Sequence, residues 1–153
     1  MPHEKSKIIE QVEDDHEALK AGLKQIEAEC ANDINRDEFG SWKRRFIKLL
    51  RKFNMSMLNH FDLEEEGGYL AEIIAEAPQS FKAVKNLEAQ HEQFICDLSR
   101  IILVLKQMES FSPEKLQECK ENLSLLISSL REHEKTENTL VQSAYSTDIG
   151  YPS

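Results

Sequence analysis

The stretch that decides the fold runs from Val84 to Met108, VKNLEAQHEQFICDLSRIILVLKQM. One apolar stripe runs through Val84, Leu87, Phe94, Leu98, Ile101, Leu105 and Met108, with His91 filling the one gap, so the spacing alternates between three and four. Residues at those offsets share one face of an α-helix, and a stripe of that width is what a helix buries against its neighbours. The same reading extends outward on both sides. Toward the N-terminus, one seam holds Ile9, Val12, His16, Leu19, Leu23, Ile26 and Cys30. A less regular seam, with a four-four step, holds Phe39, Trp42, Phe46, Leu50, Phe53, Met57, His60 and Glu64. Toward the C-terminus the seam reads Leu116, Cys119, Leu123, Leu126, Leu130, His133, Glu137, Leu140 and Ala144.

Prolines and glycines mark the joints. Gly67-Gly68 stops the second pattern, and Ser112-Pro113-Glu114 starts the fourth with a hydroxyl at the cap, proline in the first turn and an acid after it. Four long helices are expected over about 5–30, 41–66, 79–109 and 113–145, with a short helical piece from Tyr69 to Ala77. Residues 31–40 read as a loop and the tail from Ser146 as a frayed end. Long helices on short links predict an all-α, antiparallel up-down-up-down four-helix bundle, one domain over 1–153 with its core at about 5–145.

Composition removes other classes. Four valines and three threonines are too few for a sheet protein. A net charge of −9 argues against nucleic acid and anionic membrane as partners. No apolar run approaches the roughly 20 residues that span a bilayer. The opening MPHEKSKIIEQVEDD lacks the apolar segment of a secretory signal, and three cysteines, Cys30, Cys96 and Cys119, form no CxxC pair. A reduced, cytoplasmic protein is expected.

What sits on the seams matters most. Each of the four carries one histidine, and two carry a glutamate one turn later. One seam histidine is ordinarily a hydrogen-bonded core residue. With about two seam positions in every seven, four of four by chance is roughly (2/7)⁴, under 1%. A lone carboxylate on an apolar face costs several kcal/mol to bury unless something compensates it. No Lys or Arg stands on these seams, so the compensation is a proton, ordered water or a metal cation. Imidazole and carboxylate together suit iron, manganese or zinc. His60–Glu64 and His133–Glu137 are spaced so that each pair shares one helix face. Counted from the turn near 110–112, His91 and His133 come out level, whereas His16 and His60 come out about 6 Å apart along the axis, a stagger the 31–40 link has to absorb.

At this point the chain resembles the hemerythrin-like (HHE cation-binding) family from about Ile8 to Gln142. The matching pieces are DDHEAL around His16, NHFDLEEE with His60 and Glu64, AQHEQF around His91, and EHEKTENTL with His133 and Glu137. The resemblance implies a four-helix bundle around a non-haem di-iron site, oxo- or hydroxo-bridged when oxidised, with His16, His60, Glu64, His91, His133 and Glu137 as metal ligands. It further implies that His16 and His60 cap one metal, His91 and His133 the other, and that the two glutamates are shared. Oxygen carriers of the family have HxxxH on the third helix, where this chain has Leu87 and Ile95 on either side of His91. Their last-helix Asp, five after the His, is Asn138 here. The pattern looks more like two other branches, bacterial proteins implicated in iron–sulfur repair under nitrosative stress and the iron-sensing domain of an F-box protein.

Other signals are set aside. No HExxH occurs, so a zinc protease is not supported. Glu17, Glu92 and Glu134 lie about 100° off the seams and are expected to face solvent, as are Glu65, Glu66 and the basic run Lys43, Arg44, Arg45, Lys48, Arg51 and Lys52. The three cysteines are expected to be small core residues. Tyr69, after the double glycine, is left open. Two functional readings lead: a di-iron protein handling O₂, NO or peroxide, and an iron-responsive sensor or store. A metal-free helical interaction module ranks last.

Overall fold

The computed structural model of the chain describes residues 6–146. It consists of α1 (Lys7–Cys30), α2 (Arg36–Glu65), a short α3 (Tyr69–Glu76), a 3-10 turn at Pro78–Ser80, α4 (Phe81–Gln107) and α5 (Pro113–Ser146). The four long helices form a ring in which α1 packs on α2, α2 on α4, α4 on α5, and α5 returns to α1. This is the all-α antiparallel four-helix bundle that the seams require, and there is no strand among the described residues. Nearly every seam residue is buried, Cys30 and Leu140 only partly so.

The helix starts follow from their caps. Ser6 accepts the Ile9 amide at 3.3 Å at the head of α1, and Ser112 accepts that of Lys115 at 3.4 Å at the head of α5. The expected start of the first helix at residue 5 and the tail beyond Ser146 lie outside the described residues. At α2 the structure corrects the sequence reading, because residues 36–40 are helix. Asn35 accepts the Glu38 amide at 2.9 Å while the Glu38 carboxylate takes the Asn35 amide at 3.3 Å, a reciprocal capping box. Gly40 is an internal helical position. The extra turn hangs below the end of α1, so Trp42 is level with the last turn of α1 and donates its indole N–H to Glu29 at 3.2 Å. The link therefore absorbs the stagger, and the His16 and His60 rings meet with centroids 4.7 Å apart.

Two glycines are used sterically. A Cβ on Gly22 would stand 2.8 Å from the Phe53 ring, so this position lets α2 close on α1. Gly68, at φ 92°, turns the chain from the end of α2 into α3 in the left-handed region that glycine enters without strain.

The interior has three layers. A large apolar core fills the lower two-thirds, from Phe39 and Trp42 near the links up to Phe61, Phe94 and Leu130. A smaller apolar cluster caps the other end, where α3 brings Tyr69, Leu70 and Ile73 against Ile9, Val12, Val84, Val141 and Ala144. Between them lies a polar layer.

Candidate metal centre

The polar layer is made of His16, His60, Glu64, His91, His133 and Glu137, each at most 3% exposed. All six come from seams, so the periodicity that builds the core also delivers them to one level. They fall into two overlapping sets whose ligand atoms lie within 4.8 Å of one another: His16, His60, Glu64 and Glu137, and Glu64, His91, His133 and Glu137. Both glutamates belong to both sets.

Contacts inside the layer are close. His16 Nε2 lies 3.2 Å from Glu137, His133 Nε2 2.5 Å from Glu137, His91 Nε2 3.0 Å from Glu64 and His60 Nε2 3.7 Å from Glu64. Yet none of these inward atoms has a partner in hydrogen-bond geometry. Buried polar atoms are normally paired, and a cluster of unpaired ones with converging lone pairs is the donor set of a cation site. The residues therefore fit a metal.

The electrostatics of the layer divide its members. Burial pushes both glutamates toward the protonated form. Glu64 goes well above the ordinary carboxylate range, driven further by Glu137 beside it, whereas Glu137 is drawn well below that range by Glu64, His133 and His16. Burial and the neighbouring His16 lower His60 to about 3, and burial together with His133 lowers His91. Burial acts downward on His16 too, but Glu137 and Glu134 outweigh it and the net shift is upward. His60 and His91 are thereby held as the neutral imidazoles that metal binding needs, whereas a cation would have to displace the proton that burial and Glu137 keep on Glu64.

Three surrounding features were not legible in the sequence. Glu65, expected on a solvated charge run, reaches back to His91 Nδ1 at 2.9 Å. Gln90 accepts from His133 Nδ1 at 2.7 Å. Tyr69 is fully buried in the upper cluster with its hydroxyl unpartnered, and burial together with the charges of Glu137 and Glu64 raises its pKa, so the phenol keeps its proton. Only the turn at Gly68 brings it there.

Two expectations are corrected. Glu134 is 6% exposed, because α1 lies over that side of α5; burial raises its pKa, partly offset by His16. Cys96 is exposed, one position past the flank of the α4 seam, while Cys119 is buried and Cys30 half-buried, its thiol pushed up to about 11 by burial. Glu17, Glu92 and the basic run do face outward, apart from the half-buried Lys43, whose ammonium donates to the Met108 carbonyl at 2.7 Å and so caps α4.

A cleft of about 500 Å³ between α4 and α5, lined in part by Gln90, Phe94, Glu132 and Thr136, reaches His133. A second, of about 440 Å³, lies between α1 and α5 and is lined by Lys20, Arg131, Glu134 and Asn138, among others.

Fold and layer together define a helical bundle with an internal cation-binding site. The family model of the hemerythrin HHE cation binding domain matches residues 7–145, nearly the whole described chain, so the protein belongs to that family. No curated protein and no solved structure matches the chain. Among the described residues no helix is long and apolar enough to cross a membrane.

Proposed function

We propose that the polar layer is a carboxylate-bridged two-iron centre that handles a small ligand of the O₂, NO or peroxide class, in a single cytoplasmic domain without nucleic-acid or membrane partners. One observation carries this reading: two four-residue ligand sets share both of their glutamates, Glu64 and Glu137. Two cations at separate sites would not need common carboxylates, whereas a close metal pair does. His16 and His60 then hold one ion, and His91 and His133 the other. The imidazole and carboxylate donors, with no thiol in the layer, suit iron, manganese or zinc, and iron is the ion of this reading.

When bound, an iron pair with six protein ligands supplies open coordination positions for a diatomic or peroxide. The chain's own residues do the rest. The apolar clusters above and below exclude bulk water, and the cleft at His133 gives a small molecule a way in. Tyr69 offers a protonated hydroxyl within the field of both glutamates. A second reading, an iron-responsive sensor or store, is favoured by the unpaired buried carboxylates, because occupancy then sets the stability of the layer.

Anaerobic reconstitution with Fe(II) tests the proposal. Two ions per chain are expected, and the oxidised protein should show near-ultraviolet oxo- or hydroxo-to-iron charge-transfer bands that bleach on reduction. Glu137→Ala should disturb both ions and His91→Ala chiefly one. Saturation at one ion or none would overturn the paired centre.

A further inference from the structure

The two halves of the centre are supported unequally. His133 Nδ1 lies 2.7 Å from the Gln90 amide oxygen, which only accepts, so Nδ1 carries the proton and Nε2 faces inward with its lone pair free. His91 Nδ1 donates in the same way to the Glu65 carboxylate at 2.9 Å. Both rings are also clamped. Phe61 stacks on His91 at 3.9 Å and 10°, and Phe94 meets His133 edge-on at 5.2 Å and 90°.

The other half has less of this, Phe61 only tilting toward His60 at 6.3 Å and 52°. His16 Nδ1 and His60 Nδ1 are both buried without a partner. The carboxylate that approaches His60 Nδ1, that of Asp15, stands at 3.8 Å, beyond hydrogen-bond reach. Glu134 and Asn138 lie beside His16, and Asn138 comes close enough to favour its charged form, but His16 Nδ1 has no partner in full hydrogen-bond geometry. The two rings tilt against each other at 4.7 Å and 54°, without an outer hydrogen bond on either Nδ1.

Outer hydrogen bonds fix a ligating histidine's tautomer and orientation and raise its basicity, and losing one typically costs 10–100-fold in metal affinity. One cleft reaches His133 itself, and the other runs past Glu134 and Asn138 on the His16 side. We infer that the centre is built as one retained ion and one exchangeable ion, with the His91/His133 half holding tightly and the His16/His60 half releasing its metal to a competing chelator or acceptor. The inference rests on the two-metal reading above and adds a division of labour. The His91/His133 ion would be the resident one, and the His16/His60 position would follow the free metal concentration.

The test is equilibrium competition. Protein loaded anaerobically with two Fe(II) is dialysed against a rising series of chelator concentrations, and the remaining iron is counted. Release in two steps is expected, separated by about 10–100-fold in chelator. His16→Ala should lack the early step and keep the late one. Glu65→Ala and Gln90→Ala, both at surface positions that leave the core untouched, should each move the late step toward the early one. Simultaneous release in the wild type, with both outer variants silent, would overturn the inference, as would outer variants that weaken the early step instead. Failure to load two ions at all would overturn the two-metal reading, a separate result.

Discussion

The two apolar ends of the bundle are built differently. The lower core is four helical seams meeting along their length, with Trp42 stacked on Phe46 at 4.6 Å and 17° and no carboxylate, histidine, lysine or arginine among its members. The upper cluster is smaller and depends on α3, a helix of eight residues that no seam announces. It is tied by a polar clasp in which Glu72 accepts the Ser6 hydroxyl at 2.6 Å and the Tyr145 hydroxyl at 2.8 Å, joining α1, α3 and α5. Dispersion and burial hold the lower end whatever the centre contains, whereas the polar layer and the cap above it answer to charge.

The sharpest way to break that comparison is at Phe46, 1% exposed. Phe46→Ala should cost about 3–5 kcal/mol. Urea unfolding with and without iron should give the same loss, because Phe46 lies below the centre. A loss that differs between the two forms would show that the lower core is not independent.

The layer itself should behave oppositely. Metal-free protein should melt below the iron-loaded form at neutral pH, since the cation offsets two buried carboxylates. Glu64→Leu should recover about 1–4 kcal/mol in the metal-free form, as replacing buried charge with packed hydrocarbon often does. Melting temperatures unchanged by metal removal would mean that the carboxylates are compensated in some other way.

At the upper end, Glu72→Ala removes the shared acceptor and should cost about 2 kcal/mol, the range for hydrogen bonds to a charged group. Amide exchange should quicken in α3 and in the adjoining ends of α1 and α5, with the lower halves of α2 and α4 unaffected. Uniform acceleration would make cap and core one cooperative unit.

The smallest effect belongs to the α1–α5 surface. Arg131 makes a bidentate pair with Glu27 at 2.8 and 2.5 Å, both side chains 45% exposed. Arg131→Gln should cost under about 1 kcal/mol. The guanidinium holds the Glu27 carboxyl below its ordinary value of 4.5. Its contribution is therefore complete above pH 4.5 and fades as the pH falls through the lower folded value. Acid unfolding of wild type and variant should converge there, and high salt should narrow the difference at neutral pH.

Much of this molecule follows from spacing alone. Three-and-four periodicity fixed four helices, their buried faces and the presence of four histidines and two glutamates on them, because a helix turns by a constant angle per residue and a seam position cannot face away. The centre was legible for that reason. The first turn of α2 does not follow from the seam and is set locally by the reciprocal Asn35–Glu38 capping box.

The tertiary structure decided what periodicity cannot carry. Whether Glu134 is buried depends on α1 lying over it, and whether Glu65 and Gln90 touch histidines depends on the rotation and height of a neighbouring helix. Tyr69 reaches the cap through a single left-handed glycine. These are relations between elements, set by crossing geometry and by links that stagger the helices. A pattern within one helix fixes which face is turned inward, and only the packed bundle fixes which atoms on the facing helix stand within about 3 Å of it.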